Sequence, residues 1–352
     1  MHTQVLIIGG FAGASTSQTL SKLGVENILI DRKDYFEVTF ATLRNAAAPA
    51  LTGNRARKKY SDFIRATFVQ GDVSQLYADR AELDDGRVLS FERVVIASGT
   101  RYPSLSLAKS AQMTSLEARN REFADLHRQL VDASSVLILG GGTVGVELAG
   151  EVAAAHPDTL VTLAHGAAHL LPGFKPKMQH TALAQLRALG VEVALNTRYA
   201  LKDEHYLNTE TGEAASADVI LPATGTVPNN DFLQPQMSHI LDAQGFVKVD
   251  HGLEVVAQPR FYALGDIADV GEAKLGYLAQ QQGEYLGKRI ARSLRGKAVK
   301  AYRRNPLMAL IPTGQRSGVV QLPFAVTTWQ MLVNMKQKDL FITKTYKGLG
   351  AK

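Results

Sequence analysis

The chain contains no cysteine among its 352 residues. Disulfides, thiolate-ligated zinc or iron–sulfur centres and a redox-active thiol pair are therefore excluded. Nothing else in the sequence suggests a metal centre. Tryptophan occurs once, and no run approaches the ~18 uninterrupted apolar residues of a membrane-crossing helix. The N-terminus lacks the basic, apolar and small-residue succession of a secretory signal. His2 stands where an N-myristoylated chain carries glycine. A cytoplasmic location is expected, with any membrane contact peripheral.

Hydrophobic residues make up 45% of the chain and charged residues 20%, the balance of an ordinary globular protein. The length allows two or three domains. The net charge of +6 is unevenly placed. From Lys297 onward there are ten Lys or Arg and one acid, Asp339, a balance of +9 that leaves −3 for the first 296 residues. Basic character confined to the tail suits an anionic surface there, or a solvated basic face without a partner, and not a nucleic-acid groove through the whole molecule.

Two glycine-rich turns follow apolar runs: Val5–Gly13 (VLIIGGFAG) and Val136–Gly145 (VLILGGGTVG). In such a turn the first glycine permits the tight strand-to-helix reversal, the second lets a pyrophosphate approach the backbone, and the third lets helix pack on strand. The phosphates then sit at a helix N-terminus, among free N–H groups. Gly140, Gly142 and Gly145 have the complete G-x-G-x-x-G spacing. Counting back from Gly13 and Gly10 puts Ile8 at the first glycine position, unless the turn is one residue shorter and Gly9 takes that role. The flanking pattern predicts a strand over residues 5–8, a helix to about Leu23 ended by Gly24, and a strand Glu26–Asp31. The second unit repeats this with a strand Ser135–Leu139, a helix Gly145–Ala155 and a strand Leu160–Leu163. Asp31 lies 21 residues after Gly10, placed to bind the ribose hydroxyls of a dinucleotide or to cap the following turn. At the matching place the second unit has Ala164 and His165. No carboxylate there repels a 2′-phosphate and no neighbouring arginine recruits one, so the sequence leaves NADH and NADPH both open.

A second internal repeat, Val94–Pro103 (VVIASGTRYP) and Val219–Pro228 (VILPATGTVP), puts Ser98-Gly99 and Thr224-Gly225 at corresponding strand ends. The turn Asp84-Asp85-Gly86, between Ala81–Leu83 and Val88–Phe91, predicts a hairpin insertion. In FYALGDIAD, Gly265–Asp266 ends a strand so that the carboxylate could reach a flavin's ribityl chain, or simply make a turn. Residues Leu275–Gly287 read as a helix whose N-terminus could stabilise charge on a reduced flavin. Val73, Lys274 and Leu275 complete the candidate cofactor contacts. The expected fold is α/β, with two Rossmann-like dinucleotide-binding domains, for FAD and NAD(P), plus a small C-terminal module. The expected boundaries are 1–108 with 242–298, 109–241, and 299–352.

The order of GG-FAG, Asp31, Ser98-Gly99, GGGTVGVELAGE, Thr224-Gly225, YALGDIAD and a Gln-rich helix resembles two-dinucleotide flavoprotein reductases. Within these the chain most resembles apoptosis-inducing-factor-like NAD(P)H:quinone oxidoreductases of the ferroptosis-suppressor type, with type II NADH dehydrogenases as relatives. The resemblance extends to the tail segment Lys336–Phe341 (KQKDLF). It implies that Gly10, Gly13 and Asp31 hold the FAD adenylate, that Arg44 lies near the flavin, and that Asp266 binds the ribityl chain. It further implies Glu147 beside nicotinamide and flavin, with Lys336 and Phe341 closing the site. Ile8 and His2 depart from the pattern. A first-turn glutamate such as Glu147 would in any case stabilise its helix.

In Phe324–Lys336, Phe324, Thr328/Trp329, Leu332 and Met335/Lys336 fall at helical spacing. With Lys338, Lys344 and Lys347 beyond, this could be an interfacial helix on an anionic bilayer, near a lipid-soluble quinone. It could equally pack on the first domain or on a second subunit. The leading expectation is hydride transfer from NAD(P)H to FAD and then two electrons to a quinone. Alternatives are a reductase of a small acidic electron carrier of the ferredoxin kind, and a flavin redox sensor.

Overall fold

The computed structural model describes residues 1–351. Its first strand, His2–Ile8, buries Val5, Leu6 and Ile7 completely, as a strand covered on both faces must. It pairs parallel with Asn27–Asp31 on one side and Val88–Ile96 on the other. Thr67–Gln70 extends the sheet beyond Asn27–Asp31. Setting aside the antiparallel insertion, the order is 3-2-1-4, one half of a doubly wound sheet. Val88–Ile96 is nine residues long and serves two neighbours on its outer edge. Its first part pairs antiparallel with Arg80–Leu83, the expected hairpin, and its last part pairs parallel with Phe261–Ala263.

The second unit has the same order. Ser135–Leu139 lies between Leu160–His165 and Val219–Pro222, with Glu192–Leu195 outermost and every pairing parallel.

The two glycine turns share one geometry, which places Ile8 in the strand. Gly9 and Gly140 share φ values of +106° and +110°. Their amides donate to Ile30 O and Ala164 O, at 2.9 and 2.8 Å. A Cβ on Gly9 would lie 2.4 Å from the Ala97 carbonyl oxygen, and one on Gly140 2.6 Å from that of Ala223. Gly10 and Gly142 then cap the helices Phe11–Lys22 and Thr143–Ala155. Gly9 is thus the first glycine of a turn one residue shorter, and Ile8 is the buried last residue of the strand. The second helix starts at Thr143, two residues before the predicted Gly145, because Gly142 is its cap.

The helix predicted over Leu275–Gly287 runs from Gly276 to Leu294 and crosses Phe11–Lys22 closely. A Cβ on Gly283 would meet the Ala12 carbonyl at 2.6 Å, and one on Gly287 the Thr19 side chain at 2.7 Å. These two glycines let the helices approach until the N-terminus of each faces the same space. The return to the first unit precedes residue 242, since Phe232, Leu233, Met237 and Ile240 already belong to its core. The units are joined by two chain crossings that pair with each other, Thr100–Arg101 antiparallel to Val227–Pro228. These are the ends of the internal repeat.

The tail forms a three-stranded antiparallel sheet, Ala309–Pro312, Gly318–Gln321 and Val326–Thr327, and two helices, Gln330–Gln337 and Ile342–Leu349. The continuous helix expected over 324–336 does not form. Pro323 and the β-branched run Val326, Thr327, Thr328 favour extended chain, and Val326–Thr327 is taken into the sheet. Phe324 is consequently 98% exposed and lies outside the helical face. The tail sheet packs on the second unit, where a Cβ on Gly150 would lie 2.4 Å from the Thr313 backbone. The last helix packs on the first unit, with Tyr346 in the core and its hydroxyl donating to Ala56 O at 3.1 Å.

Candidate active site

One cavity of about 1200 Å³ runs from the first glycine turn to the tail, enough room for a large cofactor. At one end Gly9, Gly10, Asp31, Tyr60 and Val73 line it. Gly10 caps its helix with no side-chain hydrogen bond, so the first-turn amides remain free for an anion. The Asp31 carboxylate accepts from the Tyr60 hydroxyl at 2.9 Å and from the Lys33 amide at 3.0 Å. Burial pushes its pKa up, against the pull of Lys33 and these hydrogen bonds.

Ser98, Gly99, Thr100, Lys109, Asp266, Lys274 and Leu275 line the middle. Asp266 is hydrogen-bonded by Lys109, and by Thr100 Oγ1 at 3.3 Å. Burial works against its charge. Lys109, Lys274 and Thr100 outweigh burial and hold the carboxyl below the ordinary range. Its contribution to stability is therefore present at neutral pH and is lost as pH falls through that lowered value. Burial lowers the Lys274 pKa, which for a lysine disfavours the charged form. The helix Gly276–Leu294 opens on this region, again without a side-chain cap.

At the far end Thr143, Val144 and Glu147 meet Leu310, Leu332, Met335, Lys336 and Phe341. Lys336 Nζ donates to Glu147 Oε1 at 3.0 Å and to Leu310 O at 3.0 Å. Burial raises the Glu147 pKa, and the Lys336 charge only partly offsets it. A carboxyl raised above its ordinary 4.5 costs stability as pH rises through the shifted value. Lys336→Met should enlarge that loss. Urea unfolding at pH 5 and pH 8 is expected to show the variant's deficit growing with pH, and Glu147→Gln in the same background should remove the difference.

Leu340 and Phe341 have φ of +51° and +56°, an unfavourable backbone of order 1 kcal/mol each. Held in this conformation, Phe341 breaks the tail into two helices and stands in the cavity wall.

Some predicted residues lie elsewhere. Arg44 does not line the cavity. Its guanidinium is buried in a two-pronged pair with Glu151, at 2.9 and 2.6 Å, and donates to Gln337 O at 2.9 Å. Arg44 therefore ties the first unit to the second and to the tail. Gly13, Gly140, Gly142, Gly145, Thr224 and Gly225 also lie outside the lining. Gly13 packs its helix on Ile7 and Ala97, and Gly145 approaches Gly140 and Ala223. Thr224 flanks the second turn, where its methyl lies 3.2 Å from a Cβ placed on Gly140. Lys109 and Tyr60 were not singled out from sequence. Lys109 reaches the site from an irregular segment and Tyr60 from the single 3-10 turn Tyr60–Asp62, and no motif marks either.

Residues 3–283 match the pyridine nucleotide-disulphide oxidoreductase family. The chain belongs to that family. Among curated proteins it is similar to ferroptosis suppressor protein 1 of Xenopus tropicalis, at 28% identity over 98% of this chain and 95% of that one. It is also similar to apoptosis-inducing factor homolog B of Dictyostelium discoideum, at 27% identity over 97% and 95%. Among solved structures, NDH2 from Plasmodium falciparum in complex with NADH shares the fold, with a TM-score of 0.76 at 14% identity over 99% of this chain and 97% of that one.

The protein is an NAD(P)H-dependent flavoprotein oxidoreductase, with two dinucleotide-binding units, one for FAD and one for NAD(P)H. The residues present fit FAD: a side-chain-free glycine turn, free helix amides, a half-buried acid at the ribose position and a second acid in mid-cavity. The family's disulfide chemistry has no thiol to run on here.

Proposed function

We propose that the electrons leave to a quinone, which enters at the tail. Bound FAD supplies the redox chemistry, accepting a hydride and releasing two electrons. The chain supplies position. The glycine turns fix the two dinucleotides, the helices Phe11–Lys22 and Gly276–Leu294 present amides to anionic groups, and the Glu147–Lys336 pair closes the wall between nucleotide unit and tail. Enclosure by both units and the tail keeps water from the transfer region.

The observation that carries the quinone reading is the composition of the mouth. Met335, which is 55% exposed, lines the cavity beside Leu332 and Phe341. Trp329, the N-cap of the Gln330–Gln337 helix, and Met331 within it stand exposed, and Lys338 and Lys344 are exposed beyond it. An apolar ring with basic residues around it suits a lipid-soluble acceptor drawn from an anionic membrane surface. No helix among the described residues is long and apolar enough to cross a membrane.

Steady-state turnover should be fast with a short-chain quinone. It should be slow with an acidic redox protein, and should not rise as ionic strength falls. A preference for the acidic protein, lost in salt, would reassign the tail to protein docking. Trp329→Ser combined with Met331→Ser is expected to cut sedimentation with anionic vesicles several-fold while leaving flavin content unchanged.

A further inference from the structure

The two units diverge at the residue that reads the adenosine ribose. Strand register aligns them: Ile30 and Ala164 accept the amides of Gly9 and Gly140, so the next residues, Asp31 and His165, are equivalents. Asp31 is an acceptor, suited to ribose hydroxyls. His165 offers the opposite chemistry. Its Nδ1 accepts from the Gly141 amide at 3.1 Å, so the proton of the neutral ring is on Nε2. That Nε2–H is buried and meets no partner in hydrogen-bond geometry. Burial holds the ring toward its neutral form; the His169 backbone opposes this and Arg198 adds to it.

Arg198 supplies a second donor, which linear reading of the sequence missed because it lies 33 residues downstream, past another strand. The backbone places it beside the turn through the Thr197 amide, which donates to His165 O at 2.9 Å. Its side chain lies across Gly166, with Nε 3.0 Å from where a Cβ at 166 would be. Gly166 therefore makes the space that Arg198 occupies. The arginine is exposed and has no ion pair among the described residues. Arg198 presents donors at the surface, and His165 puts no carboxylate beside it. A dianionic phosphate has acceptors only, and arginine matches it with charge and a fork of N–H groups.

We infer that Arg198, with His165 in place of a carboxylate, forms a 2′-phosphate subsite, so that the second unit selects NADPH over NADH. This rests on assigning the second turn to the nicotinamide nucleotide and is independent of the quinone.

Binding of 2′,5′-ADP and 5′-AMP to the FAD-loaded protein, followed by calorimetry, tests the subsite without turnover. The wild type should bind 2′,5′-ADP at least about tenfold more tightly, as expected for charge-assisted hydrogen bonds to a phosphate. Arg198→Ala should remove most of that ratio and leave the 5′-AMP affinity and the flavin spectrum unchanged. His165→Asp should reverse the ratio in favour of 5′-AMP. Equal affinity for both ligands in the wild type, or an Arg198→Ala variant that weakens both alike, overturns the subsite. Binding of neither ligand removes the second nucleotide site and the inference with it. A protein that passes these tests and still fails to reduce quinones contradicts only the proposed acceptor.

Discussion

Arg44→Ala is expected to destabilise the protein by about 3–5 kcal/mol, because it leaves the Glu151 carboxylate buried without its partner. The two side chains are only 5% and 3% exposed. Arg44 lies on the short helix Thr42–Ala47 of the first unit, Glu151 on the helix of the second glycine turn, and Gln337 in the tail. One guanidinium thus fastens three parts of the chain. Loss of the cation should free the tail as well as lower global stability. Urea unfolding would read the first effect. Limited proteolysis would read the second, as new cleavage within residues 297–308, which have no regular secondary structure. Glu151→Gln added to Arg44→Ala should recover part of the loss by removing the orphaned charge. If Arg44→Ala changes the urea midpoint by less than the error of measurement, the pair is not the clasp described here.

Gly9→Ala is expected to yield protein without flavin. The added methyl carbon would be forced 2.4 Å from the Ala97 carbonyl oxygen, at a φ of +106° that side chains rarely adopt. Relief requires the turn to move away from the fourth strand, and the turn is what holds the pyrophosphate against the helix amides. Gly24→Ala is the control: Gly24 has φ of +72° but nothing within 4 Å of a new Cβ. It should cost about 1 kcal/mol of stability and keep its FAD. Flavin-to-protein absorbance ratios of the two purified variants, with far-ultraviolet dichroism to confirm folding, give the comparison. A Gly9→Ala protein with full flavin content would show that this turn does not cradle the cofactor.

Local patterns carried most of the fold into view before the structure. Both glycine turns, their strands and helices, the hairpin at Asp84–Gly86 and the strand ending at Gly265–Asp266 depend on neighbours in sequence, so periodicity and turn chemistry sufficed. The shortened first turn was ambiguous because counting glycines cannot tell a strand residue from a turn residue. Only the shared φ and shared carbonyl contact of Gly9 and Gly140 decide it. The tail misled because its apolar residues fit helical spacing by composition, whereas partnership with Gly318–Gln321 draws Val326–Thr327 into a sheet. Long-range partners were illegible. Arg44 with Glu151, Lys109 with Asp266, and Arg198 with His165 come together from segments 107, 157 and 33 residues apart; where a local motif marks one member, as the strand-ending Gly-Asp marks Asp266, nothing local marks its partner. The site role of Lys336 came through the resemblance alone, and the structure sets it 3.0 Å from Glu147.

The central claim is that this chain takes electrons from a pyridine nucleotide into FAD and delivers them to a quinone. Anaerobic stopped-flow measurement on the FAD-loaded protein tests it directly, with NADPH mixed first and a short-chain quinone second. The account predicts bleaching of the flavin band within the first mix and its full return in the second, at a rate that rises with quinone concentration. Flavin that bleaches but is not reoxidised by any quinone would contradict the proposed acceptor, and flavin that neither NADPH nor NADH bleaches would contradict the whole account.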